Sequence, residues 1–305
     1  MRQVIVTTTI NHPTEAIRKY DQLPDWHLVV IGDQATPTPY SLKNGTYVTP
    51  EDQHKYDPEL SNAIGWNNTE RRNFGFLIAK DHGADIIATI DDDNIPHPTW
   101  GADLHIGKET EGYYISTEQP VYDPIYAAGQ TKLWHRGFPL QLIGERNYFP
   151  THGKYPQIPQ IQADFWQKDP DIDAVCRIGH PDPYWFDKRN FPIMGNRPAP
   201  FNCQNTFLSK EVLPHYFLWP QLGRCADIWA AYYVQAQGHP VIFGAPSVTH
   251  KRNPHDPVQD IKAELIGYEY TWSMIQTIAR HPELIGQFLP DKAKQAQHLY
   301  RRHWR

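Results

Sequence analysis

The chain has little of what disulfide-rich, nucleic-acid-binding or membrane-spanning proteins are built from. Its three cysteines, Cys176, Cys203 and Cys225, lack the paired spacing of a zinc site or a disulfide framework. They are expected as buried, reduced thiols, the state a reducing cytoplasm maintains. Lys and Arg number 29 against 34 Asp and Glu, a formal charge of −5 with the 16 histidines neutral. No basic footprint for nucleic acid is present, and any anion must be met by local clusters. No apolar run approaches the roughly 20 residues needed to span a bilayer. The first residues, Met1-Arg2-Gln3-Val4-Ile5-Val6-Thr7-Thr8-Thr9, read directly as a strand rather than a targeting segment. Glycine is missing from Thr7-Thr8-Thr9-Ile10-Asn11-His12-Pro13, so no glycine-rich phosphate loop follows that strand, which counts against a nucleotidyltransferase. There is no internal repeat and no low-complexity tract. These features predict a cytoplasmic, soluble protein without a nucleic-acid partner.

What is present is globular: 40% hydrophobic and 21% charged residues, in a chain long enough to bury a sizeable core. A strand over Gln3 to Thr9, a short helix near Thr14 to Tyr20, a strand over Leu28 to Ile31, a helix over Thr69 to His82 and a strand over Ile86 to Ile90 alternate as β-α-β-α-β. That alternation predicts an α/β fold with a mostly parallel central sheet flanked by helices. From about Thr117 to Pro200 the chain is rich in Pro, Trp and Tyr, as in Phe165-Trp166-Gln167-Lys168-Asp169-Pro170 and Pro181-Asp182-Pro183-Tyr184-Trp185-Phe186. Long ordered loops with short strands are expected there, their aromatics either packing beneath the loops or stacking on sugar rings. A helix from Ala226 to Gln237 ends at Gly238, and Pro240 to Gly244 follows as a strand. Val258 to Arg280 reads as a long helix with Ile261, Leu265, Tyr268, Trp272 and Ile275 as its apolar stripe. A last helix, Asp291 to Arg305, is basic at its end (Arg301, Arg302, His303, Arg305). That end is either a solvated face or a peripheral contact with a membrane surface.

The strongest chemical signal is Ala84-Asp85-Ile86-Ile87-Ala88-Thr89-Ile90-Asp91-Asp92-Asp93-Asn94. An apolar strand delivers three carboxylates to its carboxyl end, where open α/β sheets bind ligands. Side chains alternate along an extended segment, so Asp91 and Asp93 can face one crevice. Such a pair suits Mn²⁺ or Mg²⁺, which bind through one or two carboxylates plus the phosphates of a substrate. An acidic turn with Asp as a cap is the competing reading. The helix before this strand carries Arg71 and Arg72 in its first turn, where the positive helix end also favours an anion.

Arg72-Asn73-Phe74-Gly75 on a helix, followed by Gly83-Ala84 and a strand ending in Asp-x-Asp, resembles the sugar-nucleotide half of GT-A glycosyltransferases. Trp26 to Asp33, Tyr47 to Gln53, Leu133-Trp134-His135-Arg136-Gly137-Phe138-Pro139-Leu140 and Gly223-Arg224-Cys225-Ala226-Asp227-Ile228-Trp229 resemble the STELLO glycosyltransferase domain. The Arg-Gly-Phe-Pro piece is also similar to the reversibly glycosylated polypeptides, which are UDP-arabinopyranose mutases. The resemblance implies a GT-A domain over residues 1–255, with a nucleotide-sugar half over about 1–116, an acceptor half over about 117–255, and a C-terminal helical extension, 256–305, packed on it.

It also implies roles for single residues. Asp91 and Asp93 hold a metal bridging a nucleoside diphosphate, and His250, in Val248-Thr249-His250-Lys251-Arg252, is the further ligand. Asp227, at a helix start, is the base that deprotonates the acceptor in an inverting reaction, or a helix-end charge placed by the dipole. Thr8 and Thr9 end the first strand and Asp33 the second, where backbone groups and a carboxylate can meet the base and ribose. Asp92 adds to the nucleotide-sugar contacts. Arg72 serves the pyrophosphate or braces the acidic cluster. Arg136 matches the arginine of reversible sugar attachment, but a guanidinium is weakly nucleophilic and is expected instead on a diphosphate or a sugar hydroxyl.

The leading expectation is a metal-dependent glycosyltransferase using a nucleotide sugar, a UDP-sugar first among them, with a carbohydrate, lipid-linked or protein acceptor. A UDP-sugar mutase and a non-catalytic carbohydrate-binding scaffold are the alternatives, because fold resemblance does not fix the reaction.

Overall fold

The structure, a computed structural model, describes residues 1–253 and 256–304. Its strands are β1 (Gln3–Thr9), β2 (His27–Gly32), β3 (Thr46–Val48), β4 (Ile86–Ile90), β5 (Asn94–Pro96), β6 (Glu111–Ile115), β7 (Thr151–Lys154), β8 (Ile161–Gln167), β9 (Ile193–Gly195), β10 (Asn205–Ser209) and β11 (Val241–His250). The helices are α1 (Glu15–Tyr20), α2 (Pro50–Tyr56), α3 (Pro58–Ile64), α4 (Arg72–Asp81), α5 (Pro124–Ala127), α6 (Ala174–Gly179), α7 (Ala226–Ala236), α8 (Pro257–Ile278) and α9 (Asp291–Arg302).

One sheet runs β3-β2-β1-β4-β10-β8-β11-β9-β6-β7, with β5 paired to β11 outside that path. The first four strands are parallel, as the alternation of strand and helix predicts. The central residues of β1, β2 and β4 are buried on both faces, which is why these strands read as continuous apolar runs. Beyond them β10 enters antiparallel to both β4 and β8, and β11 returns parallel to β8. The chain passes from β1 outward to β2 and β3, then returns to place β4 on the other side of β1. This reversal opens a crevice at the carboxyl ends of β1 and β4, the place where such sheets bind ligands.

The Arg-Asn-Phe-Gly motif is explained by how α4 lies on the sheet. A Cβ at Gly75 would stand 2.2 Å from Val6 Cγ1, so only glycine lets the helix rest this close on β1. Asn73 donates from Nδ2 to the Glu70 and Leu218 carbonyls, and its Oδ1 accepts from Leu218 N–H, tying α4 to the segment before α7. The helix expected from Thr69 begins with a 3₁₀ turn over Thr69–Arg71 before α4 proper. The segment 117–200 holds three strands and two short α-helices among its turns. Its aromatics mostly pack: Phe165, Trp166 and Phe186 are buried, whereas Trp185 is exposed.

One expectation about the C-terminal helices is corrected. The buried residues of α8 are Asp260, Glu264, Thr271, Met274, Ile275 and Ile278, while Leu265 is exposed. The helix seats on a polar surface, where Glu264 accepts from Arg224 Nε (2.7 Å) and from Ala174 N–H (2.8 Å), so its inner face is partly charged. The basic end of α9 is partly solvated, as expected, and partly paired within the protein. Arg302 pairs with Glu59 at 2.7 Å, His303 bonds Asp57 at 2.8 Å, and Arg301 bonds the Tyr233 hydroxyl at 2.6 Å. The membrane contact considered for this end therefore gains no support; Arg305 and the 255 boundary residue lie outside the described residues. Among the described residues no helix is long and apolar enough to cross a membrane. The three cysteines are free and buried, as expected.

Candidate active site

Asp91, Asp92 and Asp93 follow the end of β4 at the crevice floor in a turn closed by Asn94 N–H on the Asp91 carbonyl (3.3 Å), so a turn rather than the expected strand alternation separates their side chains. Asp92 turns toward β1: its carboxylate accepts from the Thr9 hydroxyl and from Asn11 Nδ2 (3.0 Å), and its carbonyl accepts from the Thr14 hydroxyl at 2.5 Å. Asp93 turns toward β11, where its Oδ2 stands 3.4 Å from His250 Nε2. Register explains that meeting, because His250 lies opposite Asn94 in the β5/β11 pair. His250 Nδ1 donates to the Asp169 carbonyl at 2.8 Å, which fixes the ring and directs Nε2 at the carboxylate. A ligating histidine is ordinarily oriented in this way through its second nitrogen. Burial depresses the His250 pKa, but the facing Asp93 outweighs that and leaves it raised. Asp93 Oδ1 is buried without a hydrogen-bond partner, an arrangement a cation would complete.

Asp91 behaves differently from expectation. Its Oδ1 accepts from Arg72 Nη2 at 2.6 Å, and no group of three or more His, Cys, Asp or Glu placed to hold a metal occurs among the described residues. Of the expected set Asp91, Asp93 and His250, the structure brings Asp93 and His250 together, while Asp91 Oδ1 is engaged by Arg72. Of the two roles open to Arg72, the structure realises bracing. It is 1% exposed and also donates from Nη1 to the Cys203 carbonyl and sulfur and to the Thr89 hydroxyl. Arg71 is likewise buried, donating to Gln53, Ser61 and the Gly65 carbonyl beneath the Trp66 ring. Neither arginine faces an anion in the crevice, a correction to the helix-start reading. Low local polarity around each makes internal acceptors obligatory.

Thr8 is half-buried at the crevice edge, while Thr9 is buried with its hydroxyl on Asp92 and its carbonyl on the Thr36 hydroxyl. Asp33 does end β2, but its oxygens accept backbone N–H groups from Gln34, Asn67 and Asn68. It therefore holds the 66–68 turn, in which Asn67 has φ +57°.

Arg136 and Asp227 form the largest departure. All five guanidinium donors of Arg136 are taken: Nε and Nη2 reach Asp171 at 2.8 Å, Nη1 and Nη2 reach Asp227 at 2.9 Å, and Nη1 also donates to the Arg224 carbonyl. No donor remains for a diphosphate or a sugar hydroxyl, which corrects that expectation. Asp227 accepts additionally from the Cys203 and Ile228 N–H groups. Burial alone would raise its pKa, but Arg136 dominates and holds it below the usual carboxylate value. A carboxylate with four donors and a lowered pKa is a poor proton acceptor.

Several residues that matter here were missed in the sequence: Asp171, Asn202, Cys203, Asn11, and the Asp169 carbonyl that aims His250. The acidic run Asp169-Pro170-Asp171-Ile172-Asp173 was the available signal for Asp171, and no local spacing marks the others.

Over 183 residues, 56% of its length, the chain is 27% identical to the probable glycosyltransferase STELLO2 of Arabidopsis thaliana, and it matches STELLO1 of the same plant to the same degree over 182 residues. The chain is STELLO-like over that stretch. The STELLO match spans 24% of the length of each relative. No family model matches. Among solved structures, glucosyl-3-phosphoglycerate synthase from Mycobacterium tuberculosis in complex with Mn²⁺ and uridine-diphosphate-glucose is 14% identical with a TM-score of 0.45, covering 88% of this chain and 77% of that one. A second structure of that enzyme, with phosphoglyceric acid, is 13% identical with a TM-score of 0.46, covering 88% and 80%.

Proposed function

We propose that this STELLO-like chain is a metal-dependent glycosyltransferase that takes a sugar from a nucleotide sugar, a UDP-sugar first among candidates, and passes it to an acceptor with inversion. The observation that carries the reading is the Asp93–His250 pair at the switch-point crevice, with Asp93 Oδ1 unpartnered. Asp93 and His250 would hold Mn²⁺ or Mg²⁺, with substrate phosphates and water completing the shell. A metal held there would supply a Lewis acid for the charge that develops on the departing diphosphate. Asp91 is then a phosphate-side carboxylate braced by Arg72, and Thr8, Thr9 and Asp92 line the nucleotide side. Residues 1–116 would form the nucleotide-sugar half and 117–255 the acceptor half, for a carbohydrate, lipid-linked or protein acceptor. Asp227 positions Arg136 and the start of α7 in this scheme, and the base lies elsewhere or on the acceptor side.

The mutase alternative draws no support from Arg136, whose donors are saturated and which is 5% exposed. Titration of the protein with UDP in Mn²⁺ and in chelator, followed by UDP release from UDP-sugars with and without acceptors, tests the proposal. Binding that needs the metal and release that needs an acceptor are expected; equal binding in chelator would refute the metal bridge.

A further inference from the structure

Lys251 follows the candidate metal ligand directly, and its backbone N–H donates to the Asp93 carbonyl at 2.9 Å. Its ammonium reaches across the acidic loop to Glu15 Oε2, 2.7 Å away at the first turn of α1. The far end of that bridge is fastened to the same loop, because Thr14, the cap of α1, bonds the Asp92 carbonyl. An ion pair therefore spans the backbone of Asp92 and Asp93 at the crevice rim, with both side chains about half exposed.

The cations around this crevice differ in what they can still do. Arg72 and Arg136 are buried and committed to carboxylates. Arg252 is nearly buried on Asp260. Lys251 alone of these four is exposed, sits on a flexible four-carbon stem, and holds a partner that water can replace. Exposed pairs of this kind contribute little to stability, so separating Lys251 from Glu15 is cheap, whereas an ammonium on phosphate oxygens makes a charge-assisted bond.

We propose that Lys251 is a diphosphate-binding residue kept in reserve by Glu15: in the free protein the ammonium rests on Glu15, and a nucleoside diphosphate draws it across to the phosphates. This rests on the nucleotide-sugar reading above. Separating the pair costs the same for every ligand that recruits the ammonium, so Glu15 lowers affinity for diphosphates and leaves ligands without phosphate unaffected. The second partner of Glu15, Lys19 at 3.1 Å, leaves the carboxylate charged when Lys251 departs.

Calorimetric titration with UDP and with uridine, both in Mn²⁺, tests this on wild type, Lys251→Met, Glu15→Gln and the double variant. Both side chains are exposed, so all four proteins should fold with unchanged melting temperature. Lys251→Met should weaken UDP binding about tenfold, one charge-assisted phosphate contact, and leave uridine unchanged. Glu15→Gln should tighten UDP two- to fivefold, and that gain should vanish in the double variant. Wild-type affinity in Lys251→Met, or a Glu15→Gln gain that survives without the lysine, overturns the inference. Failure of wild type to bind UDP at all would instead overturn the nucleotide-sugar reading.

Discussion

Arg136 and Asp227 face each other fork to fork, Nη1 to Oδ1 and Nη2 to Oδ2, both at 2.9 Å. Asp171 grips the opposite edge of the same guanidinium. A segment more than ninety residues upstream of α7 is thus fastened to its first turn by one buried cation between two anions. Loss of Arg136 would leave two buried carboxylates facing each other unpaired, whereas loss of either carboxylate leaves the guanidinium its other anion.

Asp227→Asn should accordingly lower stability by about 1–3 kcal/mol, the order for charge-assisted hydrogen bonds lost while Asp171 still pairs with Arg136. Urea unfolding measures it. A variant that melts like wild type yet loses turnover by roughly 10²-fold, with donor binding intact, would return Asp227 to the role of base.

The two carboxylates at the end of β4 should respond differently. Asp93→Ala and His250→Ala are expected to weaken Mn²⁺-dependent UDP binding at least tenfold, and His250→Ala, which removes a buried ring, to lower the melting temperature too. Asp91→Ala should lower the melting temperature as well, since it leaves Arg72 buried with neutral acceptors only. Parallel calorimetry and thermal melts separate these outcomes.

No covalent sugar is expected on Arg136. Intact-protein and peptide mass measurement after incubation with UDP-sugar alone should show unmodified peptide. A stoichiometric, UDP-reversible glycosyl mass there would establish the mutase alternative.

Glu70, buried at the start of the α4 segment, has its carboxyl pushed up to about 7, mainly by burial and further by Asp227. A raised folded value means that the folded state holds the proton more tightly than the unfolded chain. The stabilising contribution is full below the unfolded value near 4 and is lost as pH rises through about 7. Wild type should therefore lose stability relative to Glu70→Gln between pH 5 and pH 8. Denaturation midpoints of the two proteins across that range check the sign, and a constant difference would contradict it.

Gly75→Ala should cost about 1–3 kcal/mol, the range for overpacking a tight contact, because α4 must move off Val6. A variant of unchanged stability would show that the helix can shift freely.

The sequence by itself determined the elements whose residues carry a periodic signal. β1 and β4 have the bounds predicted, α7 and α8 fall within two residues of theirs, and the acidic triplet lies where the end of an apolar strand must put it. The directions of Asp92 and Asp93 do not follow from strand alternation, because both lie in the turn that Asn94 N–H closes on the Asp91 carbonyl. Tertiary structure decided which charges stay available. Arg71, Arg72 and Arg136 look alike in sequence as anion-binding residues, yet all three are buried, and their partners come from residues such as Cys203 and Asp171 that no local spacing connects to them. Asp33, the stripe of α8 and the basic end of α9 were settled in the same way. A side chain's unused hydrogen-bonding capacity depends on what the rest of the chain folds against it, and local sequence does not encode that.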